Sequence, residues 1–189
     1  MAREELLEQA RQGTDAASEE LQPVMLKEIR SGGQTGVDRA ALESALAVGI
    51  PYAGWCPAGG WAEDLPEPPG LLRLYPMLRE TPSSDPAQRT VWNVRDSDAT
   101  LILVHSAADP LSPGTLLTVD TARELGKPCL IVPLDVLHDA DEVAALITAD
   151  LGTFTVLNIA GSRESESPGI QGAALALLVR VLPLLRGEG

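Results

Sequence analysis

Ser31-Gly32-Gly33-Gln34-Thr35-Gly36-Val37-Asp38-Arg39 is the stretch on which the reading of this chain turns. A short mixed run from Met25 to Arg30 precedes it and reads as a strand. Behind it Val37, Ala40, Ala41, Ala45 and Val48 recur near helical spacing, and Gly49 follows as a C-cap. A strand that passes through glycines directly into a helix is the opening unit of an α/β layer. Gly32, Gly33 and Gly36 carry no Cβ, so backbone N–H groups there can approach an anion, and the helix N-terminus adds partial positive charge at the same point. Gln34 and Thr35 can donate an amide and a hydroxyl to phosphate oxygens. Asp38 either caps the helix or reaches a ligand hydroxyl, and Arg39 beside it is a further candidate contact. No lysine follows, which excludes a nucleoside-triphosphatase P-loop, and the spacing does not fit Gly-x-Gly-x-x-Gly. The competing reading is a tight turn that needs glycine and binds nothing.

The composition agrees with such a fold. The chain has 189 residues, of which 44% are hydrophobic and only 3% aromatic, so its core rests on Leu, Val, Ile and Ala. That mix suits a parallel sheet covered by helices. A net charge of −13 with no lysine or arginine run excludes nucleic acid and anionic membrane as partners. No apolar run reaches transmembrane length and no leader pattern opens the chain, so the expected location is the cytoplasm. Cys56 and Cys129 form neither a disulfide framework nor a zinc motif; Cys129 reads as a buried thiol and Cys56 as a small packing residue in a loop.

Outward from the glycine loop, strand-like and helix-like segments alternate. Residues 1–22 read as a charged arm outside the core and 23–189 as a Rossmann-like ligand-binding domain. Tyr52 to Trp55 is a second strand, residues 56–70 are a long Pro/Gly loop, and Leu71 to Met77 is a third strand. A helix follows over 83–97, capped at Ser84 or Asp85 with Pro86 at its first position. Thr100 to Val104 and Leu130 to Leu134 read as strands buried on both faces, and Phe154 to Ile159 as the last strand. Helices are expected over 115–125, 140–149 and 170–185. The class is α/β, with a parallel sheet of about six strands and helices on both faces. In strand order 3-2-1-4-5-6 the first and fourth strands are neighbours, and ligands bind at the crevice between their carboxyl ends.

Two further loops leave strand ends. His105 to Thr115 contains Ser112-Pro113-Gly114-Thr115 at a helix start, where Ser112, Gly114 and Thr115 offer hydroxyls and amides. Asn158-Ile159-Ala160-Gly161-Ser162-Arg163-Glu164-Ser165 brings Gly161, Arg163 and Glu164, and the arginine suits bidentate phosphate contact; an ordinary solvated loop is the alternative. Arg89 and Asn93 share a helical face and point either at the ligand or at a neighbour. Ser97 and Asp98 join them as candidates, although such residues commonly satisfy backbone groups at element ends. Neither His105 nor His138 belongs to a recognisable nucleophile–base set.

These segments resemble the molybdenum-cofactor carrier family. The matching stretches are 31–42, 54–59 with Ala62-Glu63-Asp64, Arg89-Thr90, 93–101, Gly114-Thr115 and 157–165, spread from about Met25 to the C-terminus. The resemblance implies a Rossmann-like superfamily of nucleotide-ligand binders that also includes cytokinin-activating phosphoribohydrolases and a DNA-processing protein. It implies that the molybdenum cofactor, a pyranopterin with a terminal phosphate, is held as cargo by a non-catalytic homotetramer, between cofactor-synthesis proteins and molybdoenzymes. The phosphoribohydrolase motif Pro-Gly-Gly-x-Gly-Thr is replaced here by Leu111-Ser112-Pro113-Gly114-Thr115. Gly60 and Trp61 stand where the family has a basic residue after the Pro-x-Gly turn, and Leu65 replaces its glycine. The rival functions are a hydrolase of N-glycosidic or phosphoribosyl bonds, with Glu63, Asp64 or Glu164 as acid or base, and a nucleotide-sensing module.

Overall fold

The computed structural model describes residues 26–136 and 139–186. The expected arm over 1–22 and His138 lie outside the described residues. The main sheet is parallel throughout and contains β1 (Glu28–Arg30), β2 (Tyr52–Ala53), β5 (Ala99–Val104), β6 (Cys129–Pro133) and β7 (Val156–Gly161), in the order β2-β1-β7-β5-β6. A small parallel pair, β3 (Trp55–Cys56) and β4 (Arg79–Glu80), stands apart from it. The helices are α1 (Val37–Val48), α2 (Leu71–Leu74), α3 (Pro86–Arg95), α4 (Pro113–Glu124), α5 (Ala140–Leu151) and α6 (Ile170–Leu185).

The sheet is covered on both sides. Leu101 and Leu103 of β5, with Leu157 and Ile159 of β7, face a core filled by Val37, Ala41 and Ala45 of α1, Ile147 of α5 and Ala174 and Leu178 of α6. The alternate residues face α3 and α4; there Asn158 Nδ2 donates to Thr100 Oγ1 (3.3 Å), a buried polar pair across the sheet. Every residue of β5 is buried, which is why it is an uninterrupted apolar run. A second, smaller cluster of Leu42, Cys56, Ala62, Leu71 and Leu78 anchors the Pro/Gly loop and the β3–β4 pair.

Local signals set the helix ends. The Asp85 carboxylate accepts the Ala87 N–H with Pro86 at the first position of α3. Gly49, at φ 70°, closes α1 with its N–H on the carbonyls of Ala45 and Leu46.

Three expectations are corrected. Leu71 to Met77 is not a strand: Leu71–Leu74 forms one helical turn, because Leu71 turns inward into the second cluster and Tyr75 N–H closes on Leu71 O (2.8 Å). β6 is the sheet edge, so Ile131 is exposed and Cys129 half-buried rather than enclosed on both faces. Finally, β1 and β5 are not neighbours: the last strand, β7, lies between them.

Candidate functional site

β7 and β5 are adjacent and parallel, yet the chain leaves them toward opposite faces. β7 leads to α6, packed with α1; β5 leads to α4, packed with α3. Such a reversal opens a crevice at the carboxyl ends of the two strands. Four segments line it. Gln34 and Asp38 come from the first glycine loop and α1, and Arg89 and Thr90 from α3. Ser112, Gly114, Thr115 and Thr118 come from α4 and its cap, and Ala160, Gly161, Arg163 and Glu166 from the end of β7. The crevice encloses about 40 Å³. That is several times the space of one water and far below the hundreds of Å³ that a whole organic ligand needs. It matches a tetrahedral oxyanion. A bay of about 360 Å³ that also holds His105 and Asp109 shares Ser112 and Glu166 with it.

The start of α4 is open. Ser112 is the N-cap: its Oγ accepts the Thr115 N–H (3.3 Å) and lies 3.1 Å from Thr115 Oγ1. Pro113 has no N–H to spend. The Gly114 N–H has no acceptor among the described residues, and a Cβ built on Gly114 would find no atom nearer than Ser112 Oγ at 4.0 Å. A bare amide therefore stands at the positive end of a 12-residue helix. Two guanidiniums border the same space. Arg89 Nη1 donates to Asp38 Oδ2 at 2.8 Å in a nearly buried pair. Arg163 is in no ion pair among the described residues, and its guanidinium carbon lies 6.0 Å from the centre of the Trp61 ring. Burial pushes the Asp38 carboxyl above its usual range, against the opposing pull of Arg89.

The first glycine loop is built differently. Three successive amides leading into its helix already have protein acceptors: Thr35 N–H donates to Gln34 Oε1 (3.1 Å), Gly36 N–H to Gln171 Oε1 (3.2 Å) and Val37 N–H to the Ser162 carbonyl (3.1 Å). The glycines admit close neighbours rather than solvent. A Cβ on Gly32 would lie 2.1 Å from Arg89 Nη1, and one on Gly36, at φ 81°, would lie 2.2 Å from the Ser162 carbonyl oxygen. Gly33 is pressed on Leu71 and Leu78. Gly32, Gly33, Thr35 and Gly36 thus lie behind the crevice wall, while Gln34 and Asp38 reach it.

The other candidates separate cleanly. Arg39 donates through Nε to the Gly33 carbonyl (3.0 Å) and through both terminal nitrogens to Asp64 (3.0 and 2.9 Å), strapping the Pro/Gly loop to α1. Asn93 exchanges two hydrogen bonds with the Trp55 backbone (2.8 and 2.9 Å), tying α3 to β3. Ser97 Oγ donates to Asn93 O (2.8 Å) at the end of α3. Asp98 Oδ2 accepts Thr155 N–H, Thr155 Oγ1 and Val156 N–H (2.9, 3.0 and 2.9 Å) where β7 begins, at the opposite end of the strands. Glu164 accepts the N–H groups of Gly169 and Gln171 ahead of α6. Glu63 accepts the hydroxyls of Thr35 and Ser165. Burial raises its pKa, but those bonds and the Arg163 charge outweigh it and hold the carboxyl below the ordinary glutamate value. Cys56 is buried and its thiol is pushed up to about 11, so it is inert at neutral pH.

Sequence reasoning missed Thr90, Thr118, Ala160 and Glu166 in the wall, and Gln171 behind it. Thr118 and Glu166 were detectable in principle, each three residues beyond a chosen site residue, Thr115 and Arg163. Gln171 carried no local signal.

Residues 29–182 match the "Circularly permutated YpsA SLOG family". This chain belongs to that family. The permutation in its name is visible in the sheet. If β7 and α6 are counted before β1, the order β2-β1-β7-β5-β6 becomes 3-2-1-4-5, the usual doubly wound sequence. The join would fall where Leu26 N–H donates to Leu185 O (3.2 Å). In that numbering the crevice lies between strands one and four, as expected for the architecture, but its first loop is 162–169 rather than 31–36. Among solved structures, a putative molybdenum carrier protein from Syntrophus aciditrophicus SB superposes with a TM-score of 0.75 at 40% identity, over 85% of this chain and 98% of that one. No curated protein matches the chain. The family resemblance read from the motifs therefore holds, and no helix among the described residues is long and apolar enough to cross a membrane.

Proposed function

We propose that this protein is a non-catalytic carrier that holds a phosphate-bearing small molecule, of the molybdenum-cofactor type, in the crevice between β7 and β5. The phosphate sits on the Gly114 amide, the hydroxyls of Ser112 and Thr115, and the guanidiniums of Arg163 and Arg89. One observation carries the reading: at the strand reversal, a bare helix amide and a guanidinium without an ion pair border the same oxyanion-sized space. The name of the Syntrophus structure supports a molybdenum-related cargo. The terminal phosphate of a pyranopterin fits the crevice, and its ring system must lie in an adjoining bay. The carrier works in the cytoplasm as a homotetramer, receiving cargo from cofactor-synthesis proteins and passing it to molybdoenzymes.

The three carboxylates that the hydrolase reading offers are each engaged with protein partners. Glu63 is held ionised by two hydroxyls, Asp64 is clamped by Arg39, and Glu164 caps α6. None is poised as a general acid or base over the crevice.

Calorimetric titration with molybdenum cofactor released from a molybdoenzyme, and with GMP, tests the proposal against Arg163→Met. The variant should bind both at least tenfold more weakly, the loss expected for one charge-assisted hydrogen bond of roughly 1.5–3 kcal/mol. Equal affinity in the variant would remove the phosphate site, and release of guanine from GMP would replace the carrier with an enzyme.

A further inference from the structure

We infer that Trp61 holds the flat ring of the phosphate-bearing ligand. The inference rests on the phosphate crevice proposed above and names what lies beyond it. An apolar bay of about 360 Å³ is walled by Trp61, Ala58, Pro66, Pro68 and Pro86. Arg163 lines the crevice and Trp61 lines the bay, and 6.0 Å between guanidinium carbon and ring centre brings the two spaces together at this pair. An occupant of both must place an anion beside Arg163 and an apolar group beside an indole.

The bay favours a planar group over a flexible chain. Its walls are an aromatic ring and three proline rings, surfaces with few rotamers to lose on contact. The loop that presents Trp61 is fixed at many points. Gly60, at φ 68°, has space for no Cβ, since Pro69 O would lie 2.3 Å away. Ala62 and Leu65 exchange backbone hydrogen bonds (3.2 and 3.0 Å), and Ala62 is fully buried. Asp64 is clamped by Arg39, and the Glu63 N–H donates to Gln34 Oε1 (2.9 Å). The backbone that carries Trp61 is therefore fixed, with the indole beside Arg163. Stacking on an indole tolerates any flat π-face, so purines and pterins both qualify. The second bay, which shares Ser112 and Glu166 with the crevice, has a mixed wall in which His105 and Asp109 stand beside Pro110 and Pro168, and it holds no indole.

Calorimetry with GMP, AMP and ribose 5-phosphate on wild type, Trp61→Ala and Trp61→Phe decides the matter. GMP is the informative probe because guanine and pterin share a 2-amino-4-oxopyrimidine edge. Wild type should bind GMP and AMP more tightly than ribose 5-phosphate. Trp61→Ala should lose roughly tenfold for GMP and AMP and stay within about twofold for ribose 5-phosphate, while Trp61→Phe recovers most of the loss. The inference falls if Trp61→Ala leaves GMP binding unchanged, which would put the ring in the bay beside His105. It also falls if the variant weakens all three ligands equally, which would make Trp61 only a support for Arg163. If none of the three binds to wild type, the phosphate reading fails with it; binding of ribose 5-phosphate equal to that of GMP sinks the ring inference alone.

Discussion

The two glycine-bearing helix starts of this protein, at α1 and at α4, look alike in sequence and are opposite in structure. At α1 the glycines are spaces that other parts of the protein enter. The Ser162 carbonyl lies against Gly36 and Arg89 against Gly32, and the amides of Thr35, Gly36 and Val37 are taken by Gln34, Gln171 and Ser162. At α4 the glycine faces open space and its N–H is unspent. Glycine before a helix therefore marks close approach in general; whether the guest is protein or ligand depends on where the chain's own acceptors fall.

The largest expected effect breaks the α1 side. Gly36→Ala forces a Cβ into a left-handed residue and onto a backbone oxygen 2.2 Å away that cannot rotate aside. The expected cost is about 3 kcal/mol, read as a drop in the denaturant midpoint. A loss below about 1 kcal/mol would mean that the α1 start is looser than described and free to open toward a ligand.

Thr35→Val sharpens the same contrast through pH. The Thr35 and Ser165 hydroxyls hold the Glu63 pKa below its ordinary value. A carboxyl whose native pKa is depressed adds stability above its unfolded pKa and loses it as pH falls through the native one. At neutral pH the variant should be less stable than wild type by about 1 kcal/mol. The gap should narrow on acidification below the ordinary glutamate range, leaving the pH-independent loss of the Glu164 N–H bond to Thr35 Oγ1 (3.3 Å). A gap independent of pH would show that Thr35 acts through packing and not through Glu63.

Much of this arrangement was legible beforehand, for reasons particular residues supply. The span of α6 follows from an unbroken apolar helical pattern between Gly169 and Gly187, and β5 from six consecutive residues buried on both faces. Of the three loops that meet at the crevice, two were marked by glycine or proline at a helix start and the third by Gly161 and Arg163 at a strand end. Strand order was not legible. Nothing local to Val156–Gly161 says that it inserts between β1 and β5; that is settled by which faces α1 and α6 share. Asn93, Ser97 and Asp98 misled because the polar atoms that satisfy backbone groups are the same atoms that bind ligands. Only the geometry shows Asp98 spent on Thr155 and Val156.

The smallest expected effect is the most discriminating, because stability and binding move in opposite directions. Gly114 has no positive φ and an open Cβ position in the first turn of α4. Alanine there narrows the unfolded ensemble without strain, so Gly114→Ala should stabilise the ligand-free protein by about 0.4–1 kcal/mol. The same methyl group stands beside the only unspent amide of the cap and crowds an anion that approaches it, so affinity for ribose 5-phosphate should fall severalfold. A glycine kept only as a turn residue would show the gain without the loss. The combination of a higher melting temperature and weaker phosphate binding belongs to a helix start left open for a ligand, and its absence would return α4 to the same category as α1.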